Sequence, residues 1–150
     1  MEEKLFVEWD NRYSVGIPAI DEQHKELFNL TNNLYSACLQ GDKESGEYFK
    51  EVIRATVNYV RFHFTAEEKI MMRIQYPELE DHKRDHESFV KKVLDDVKAF
   101  EEGHNFVPNT FVRFLRDWVL THIAVTDKKY AEYILNLKKR GLLRGTLTQV

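Results

Sequence analysis

The sequence predicts an all-α protein, an up-down-up-down bundle of four helices behind a short N-terminal arm. Three observations predict it. Apolar residues recur at spacings of three and four through four long segments. Glycine or proline stands between those segments, with short connections. A length of 150 residues with 43% hydrophobic and 31% charged side chains suits one compact domain that closes a core without disulfide or metal staples.

Residues 1–18 carry Trp9, Tyr13, Val15 and Ile17 without sustained periodicity and end at Gly16 and Pro18, which reads as an ordered arm. Asp21 is the expected N-cap of the first helix, in which Leu27, Phe28, Thr31, Leu34, Tyr35 and Cys38 share a stripe until Gly41. The second helix runs from about Glu44 through Phe49, Ile53, Val60, Ile70 and Ile74 to the residues before Pro77. The third begins at Pro77 or Glu78, carries Phe89, Val93, Val97 and Phe100, and ends near Gly103. The fourth opens after Pro108 and continues through Leu115, Trp118, Val119, Ile123, Tyr130 and Ile134 to Gly141. Residues 141–150 are expected to be a loose tail, and the whole of 1–150 one domain.

Composition narrows the function. A formal charge of −3 with both signs interspersed offers no basic stripe to phosphate backbones, so nucleic acid is not an expected partner. No basic leader with an apolar run and no stretch of eighteen apolar residues is present, so the expectation is a cytoplasmic protein without a membrane partner. The single Cys38 removes zinc-ribbon and thioredoxin-type chemistry.

Polar residues interrupt the apolar stripes, and each must be satisfied or it destabilises the core. Residues four apart on a helix lie one turn and about 6 Å apart on nearly the same face. His63 with Glu67, and His82 with His86, can therefore aim paired donors at one point. His24 lies on the inward stripe of the first helix, and His122 and Asp127 belong to the fourth. In an antiparallel bundle all seven fall at one end. Neither histidine motif is specific alone, since a His-x-x-x-acid match arises roughly once by chance in this composition. Five imidazoles and two carboxylates, level and inward on four helices, are specific together, and they point to a metal site.

Seven donors exceed what one tetrahedral zinc takes, and thiolates are missing. Two metals with bridging carboxylates fit the number. Iron or manganese suits the donors, with zinc as an in-vitro competitor. Glu101 and His104 alone have the Glu-x-x-His spacing of carboxylate-rich di-iron bundles. Gly103 breaks their helix, so His104 is expected in a loop and not as a ligand. Tyr130, one turn beyond Asp127, is either a hydrogen-bonding neighbour of the site or a rim tyrosine. No acidic group other than Glu67 and Asp127 has an inward position, and no nucleotide or flavin motif is present.

His122 and Asp127 are five apart, which an ideal α-helix sets roughly 140° apart around its axis. The spacing predicts a π-type turn between Trp118 and Tyr130 that swings the carboxylate inward. The alternative is a regular helix with Asp127 reaching in from its flank.

The stretches "IDEQHKELF", "HFTAE", "HKRDH" and "HIAVTD", with the flanking "VGIPAIDEQH" and "WVLTHIAVTDKKY", resemble the hemerythrins, specifically the single-domain bacterial type. The resemblance spans about residues 5 to 137. It implies two non-haem irons joined by an oxo or hydroxo bridge, one held by His82, His86 and His122 and the other by His24 and His63, with Glu67 and Asp127 bridging. It further implies reversible binding of O2 as a terminal hydroperoxide at the five-coordinate iron. Leu27, Phe28, Phe64, Trp118, Val119 and Ile123 are the expected walls of the O2 pocket. Storage, delivery or sensing of oxygen fits this chemistry, and a separate redox or signalling partner is compatible with it. The other class open to the same residues is a di-iron enzyme or scavenger acting on peroxide, nitric oxide or O2.

Overall fold

The computed structural model describes residues 5–39, 42–103 and 107–142. Among them are four long helical stretches packed as a bundle and no strand. Helix α1 spans Pro18–Cys38, α2 Asp42–Arg73 and α3 Leu79–Glu101. The fourth stretch is α4, Pro108–Thr121, a π-helical segment His122–Asp127, and α5, Lys128–Lys139, in unbroken succession. The π turn falls where the five-residue spacing of His122 and Asp127 requires it. Helix α1 packs against α2 and α4, and α2 against α3. Phe89 of α3 stacks on Trp118 of α4, with ring centroids 3.8 Å apart, closing the ring of helices.

Helix ends follow local chemistry. Pro18 and Pro108 each stand at a helix start, where the missing N–H has no intrahelical partner to lose. This corrects the expectation that Asp21 caps α1. The cap position is Ile17, which makes no side-chain cap bond. Because proline already starts the helix, Asp21 is left in the first turn to accept hydrogen bonds from Ser14 Oγ and the Val15 N–H, which fasten the arm. Asn32 fastens it again, bonding both the N–H and the C=O of Val7 at 2.9 Å. Helix α2 closes at Gln75, which takes φ +54° so that the Tyr76 N–H reaches the Met71 carbonyl at 2.9 Å. Gly141 (φ +68°) closes α5 in the same way. Gly41 and the tail from residue 143 onward lie outside the described residues.

Two apolar clusters fill the interior. The larger includes Leu27, Phe28, Phe64, Phe89, Val119 and Ile123; the smaller includes Ile20, Ile70, Met71, Tyr130 and Ile134, joined by Val15 and Ile17 of the arm. Along each helix the inward polar residues fall between members of the two clusters. His24 lies between Ile20 and Leu27, and Glu67 between Phe64 and Ile70. The polar residues thus form one layer across the bundle, with hydrocarbon above and below.

Candidate metal centre

All seven inward polar side chains are buried, with His24, His63, Glu67 and Asp127 fully so. They form two groups that share their carboxylates. Glu67, His82, His86, His122 and Asp127 bring one ligand atom each to within 4.8 Å of one another, and so do His24, His63, Glu67 and Asp127. Asp127 turns one oxygen to each group: Oδ1 lies 2.9 Å from His122 Nε2 and 3.2 Å from His82 Nε2, and Oδ2 lies 3.1 Å from His24 Nε2. Glu67 Oε1 lies 3.1 Å from His63 Nε2 and 3.5 Å from His86 Nε2.

The donors fit cations better than they fit each other. The Nε2 atoms of His24, His63 and His82, Glu67 Oε1 and both Asp127 oxygens are buried without a hydrogen-bond partner among the described residues. A buried polar group left so costs about 1–3 kcal/mol, which an ion in each group would remove. The tautomers point the same way. His86 Nδ1–H donates to Glu68 Oε2 at 2.8 Å and His122 Nδ1–H to Asp85 Oδ2 at 2.9 Å. An ionised carboxylate cannot donate, so each Nδ1 carries the hydrogen. Both rings thus turn Nε2 inward, the two nitrogens 3.0 Å apart beside the shared carboxylates, where a cation would meet them together.

Charge in the cation-free cluster follows from the same contacts. Burial alone would push His24 down, but Asp127 and Glu67 carry it up to about 9. Burial likewise opposes His122, which Asp127 lifts well above the ordinary imidazole value. Burial holds His63 below that value. Although burial disfavours a charged carboxylate, the surrounding imidazoles keep Glu67 and Asp127 below their usual range. The carboxylates are therefore anionic, and protons occupy nitrogens that a metal would take.

Neighbours set the ring planes. Tyr130 O–H donates to Glu67 Oε2 at 2.7 Å, and its own pKa is driven well up by burial and by Glu67. Tyr130 is thus a neighbour of the site and not a rim residue. Phe64 stacks flat on His86, centroids 3.7 Å apart, and Trp118 on His122 at 4.4 Å. These two expected pocket residues lie against rings of the three-histidine group. Leu27, Phe28, Val119 and Ile123 are buried in the larger apolar cluster. His104 lies outside the described residues.

Three polar neighbours were not legible in the sequence. Gln23 Oε1 accepts from His63 Nδ1–H at 2.7 Å, and Glu68 and Asp85 accept from His86 and His122. This corrects the expectation that no acidic group beyond Glu67 and Asp127 reaches the site. Each of the three adjoins a ligand-type residue in sequence, His24, Glu67 or His86, yet serves a histidine of the next helix. Adjacency to those residues is the only signal the sequence carries for them.

A four-helix bundle that buries five imidazoles around two shared carboxylates has the donors of a histidine and carboxylate metal-binding site. A sequence-family model, the hemerythrin HHE cation binding domain, matches residues 15–134. The chain belongs to the hemerythrin family. It is 31% identical over 126 residues to a bacteriohemerythrin of Stenotrophomonas maltophilia, covering 84% of this chain and 80% of that protein. It is 32% identical over 118 residues to a bacteriohemerythrin of Methylococcus capsulatus, covering 79% and 88%. The crystal structure of a wild-type hemerythrin superimposes with a TM-score of 0.79 at 29% identity, covering 85% of this chain and 96% of that one.

Proposed function

We propose that this chain, as one hemerythrin-like domain, is a di-iron protein that binds O2 reversibly for oxygen storage, delivery or sensing. The observation that carries the reading is the unequal division of donors, three imidazoles in one group and two in the other, around the same two carboxylates. His82, His86 and His122 would hold one iron and His24 and His63 the other, with Glu67 and Asp127 common to both. The group with two imidazoles would leave its iron room for a small ligand. Two ferrous ions would supply the two electrons that O2 takes up on binding and returns on release.

Release intact requires that the chain deliver no proton on that side. Gln23, the partner of His63, is a neutral amide with no acid to give. The Tyr130 hydrogen is already engaged by Glu67. Leu27, Phe28, Val119 and Ile123 belong to the apolar cluster on one side of the layer, which would keep water from that side. The anionic Glu68 and Asp85 belong to the other group.

The test is the visible spectrum of the anaerobically reduced, iron-loaded protein before and after O2, then under argon. A band that rises with O2 and is lost under argon with return of the reduced protein is the expected result. Direct conversion to the oxidised protein, unaffected by argon, would instead favour an enzyme or scavenger of peroxide, nitric oxide or O2.

A further inference from the structure

We propose that Glu68, Asp85 and Gln23 are positioning residues that make the two metal positions unequal, so that the three-histidine position fills first and holds its ion more tightly. The inference rests on the two-ion reading above and concerns groups that touch only the imidazoles.

The three contacts are alike in geometry and unlike in charge. Each partner accepts from an Nδ1–H at 2.7–2.9 Å, which fixes the tautomer and points Nε2 inward. On the three-histidine side the acceptors are carboxylates, Glu68 on His86 and Asp85 on His122. Their side chains are 26% and 44% exposed, so both carboxylates stand at the edge of the buried layer and not inside it. An anion on the far nitrogen pushes electron density through the ring and makes Nε2 a stronger donor. On the two-histidine side the one such acceptor is the Gln23 amide, which orients His63 without a full charge. Among the described residues, neither ring nitrogen of His24 has a hydrogen-bond partner. Two of three rings are thus charge-assisted in one group and none in the other. The difference acts in the same direction as the extra imidazole, keeping one ion fixed and the ion on the O2 side the more weakly held.

Isosteric variants separate charge from shape. The metal-free chain is titrated anaerobically with Co2+ at one fixed pH, followed by calorimetry and by visible absorption, with circular dichroism as the check on folding. Two steps of one equivalent each are expected in the parent. Glu68→Gln and Asp85→Asn keep an acceptor but lose the charge, and each should weaken the first step by about tenfold while leaving the second unchanged. Gln23→Glu should tighten the second step by about tenfold and draw the two together. A merely structural role can only loosen binding, so the tightening is the decisive readout. The inference is overturned if the two charge-removing variants leave the first step unchanged, if Gln23→Glu does not tighten the second, or if two equivalents bind the parent in a single step. Fewer than two equivalents in the parent overturns the two-ion reading itself, and the inference with it.

Discussion

His24 and Glu67 differ in what their loss removes. His24 belongs to the two-histidine group alone, whereas Glu67 belongs to both. His24→Ala should therefore bring iron content after dialysis from two per chain toward one and abolish the O2-dependent band, with affinity at the surviving position changed little. Glu67→Ala should weaken both positions by about tenfold or more and bring iron content toward zero. A His24→Ala protein that retains two irons would contradict the division of ligands. Protons give a second residue-scale check. His24 titrates at about 9 in the metal-free cluster, so it is protonated at pH 7, and a metal must displace that proton to reach Nε2. Calorimetry of metal binding at pH 7 in buffers of different ionisation enthalpy should show net proton release, and the release should shrink as pH rises through 9.

The π segment of the fourth helical stretch decides where Asp127 points. Its wider turn brings residues five apart onto one face, which is why His122 and Asp127 both reach the layer. Such a segment holds one residue more than a regular helix of the same rotational phase. Deleting the exposed Val125 from it should restore a regular helix with His and Asp four apart, keep both metals, and lower affinity by no more than about tenfold. Deleting Arg116 from regular α4 instead turns everything after it by about 100°, which should remove His122 and Asp127 from the layer and abolish binding of both ions. Metal content and helicity of the two deletions check the pair. The end of α2 offers a third test at this scale. Gln75 occupies a left-handed conformation that favours glycine, so Gln75→Gly should raise stability by about 0.5–1 kcal/mol in denaturant titration.

Across the molecule, stability and metal content are linked because the polar layer cuts the hydrophobic interior in two. In the metal-free chain His24 has a folded pKa of about 9 against an ordinary 6.5. A raised pKa contributes stability that is complete below about pH 6.5 and is lost as pH rises through 9. That contribution is on the order of 3 kcal/mol, and His122, shifted in the same direction, adds to it. A metal-loaded chain carries no proton at these nitrogens. Thermal melts should therefore show the metal-free Tm falling between pH 6.5 and 9 while the loaded Tm holds, so that the gap between them widens with pH. A gap independent of pH would mean that these imidazoles are not protonated in the metal-free fold.

The sequence by itself determined the four helical stretches, because apolar periodicity and the glycine and proline breaks are local properties of the chain. It also marked His24, His63, Glu67, His82, His86, His122 and Asp127 as inward and level, since position along an amphipathic helix gives both depth and face. The wrong spacing of His122 and Asp127 for an α-helix pointed to the π turn, and the backbone decided for it against a regular helix with Asp127 on its flank. What only the tertiary structure decided is what lies between helices. Gln23, Glu68 and Asp85 each stand about 100° around their own helix from a ligand-type neighbour, on the seam facing the next helix. Which seam, and which ring across it, depends on how neighbouring helices are rotated against each other. Pro18 starts α1 by its own local preference, and only the fold shows that Asp21, left in the first turn, fastens the arm through Ser14 and Val15. Periodicity records the direction of a side chain relative to its own axis. The partner it meets there is set by packing, and the unequal charge around the two groups of histidines is a product of that packing.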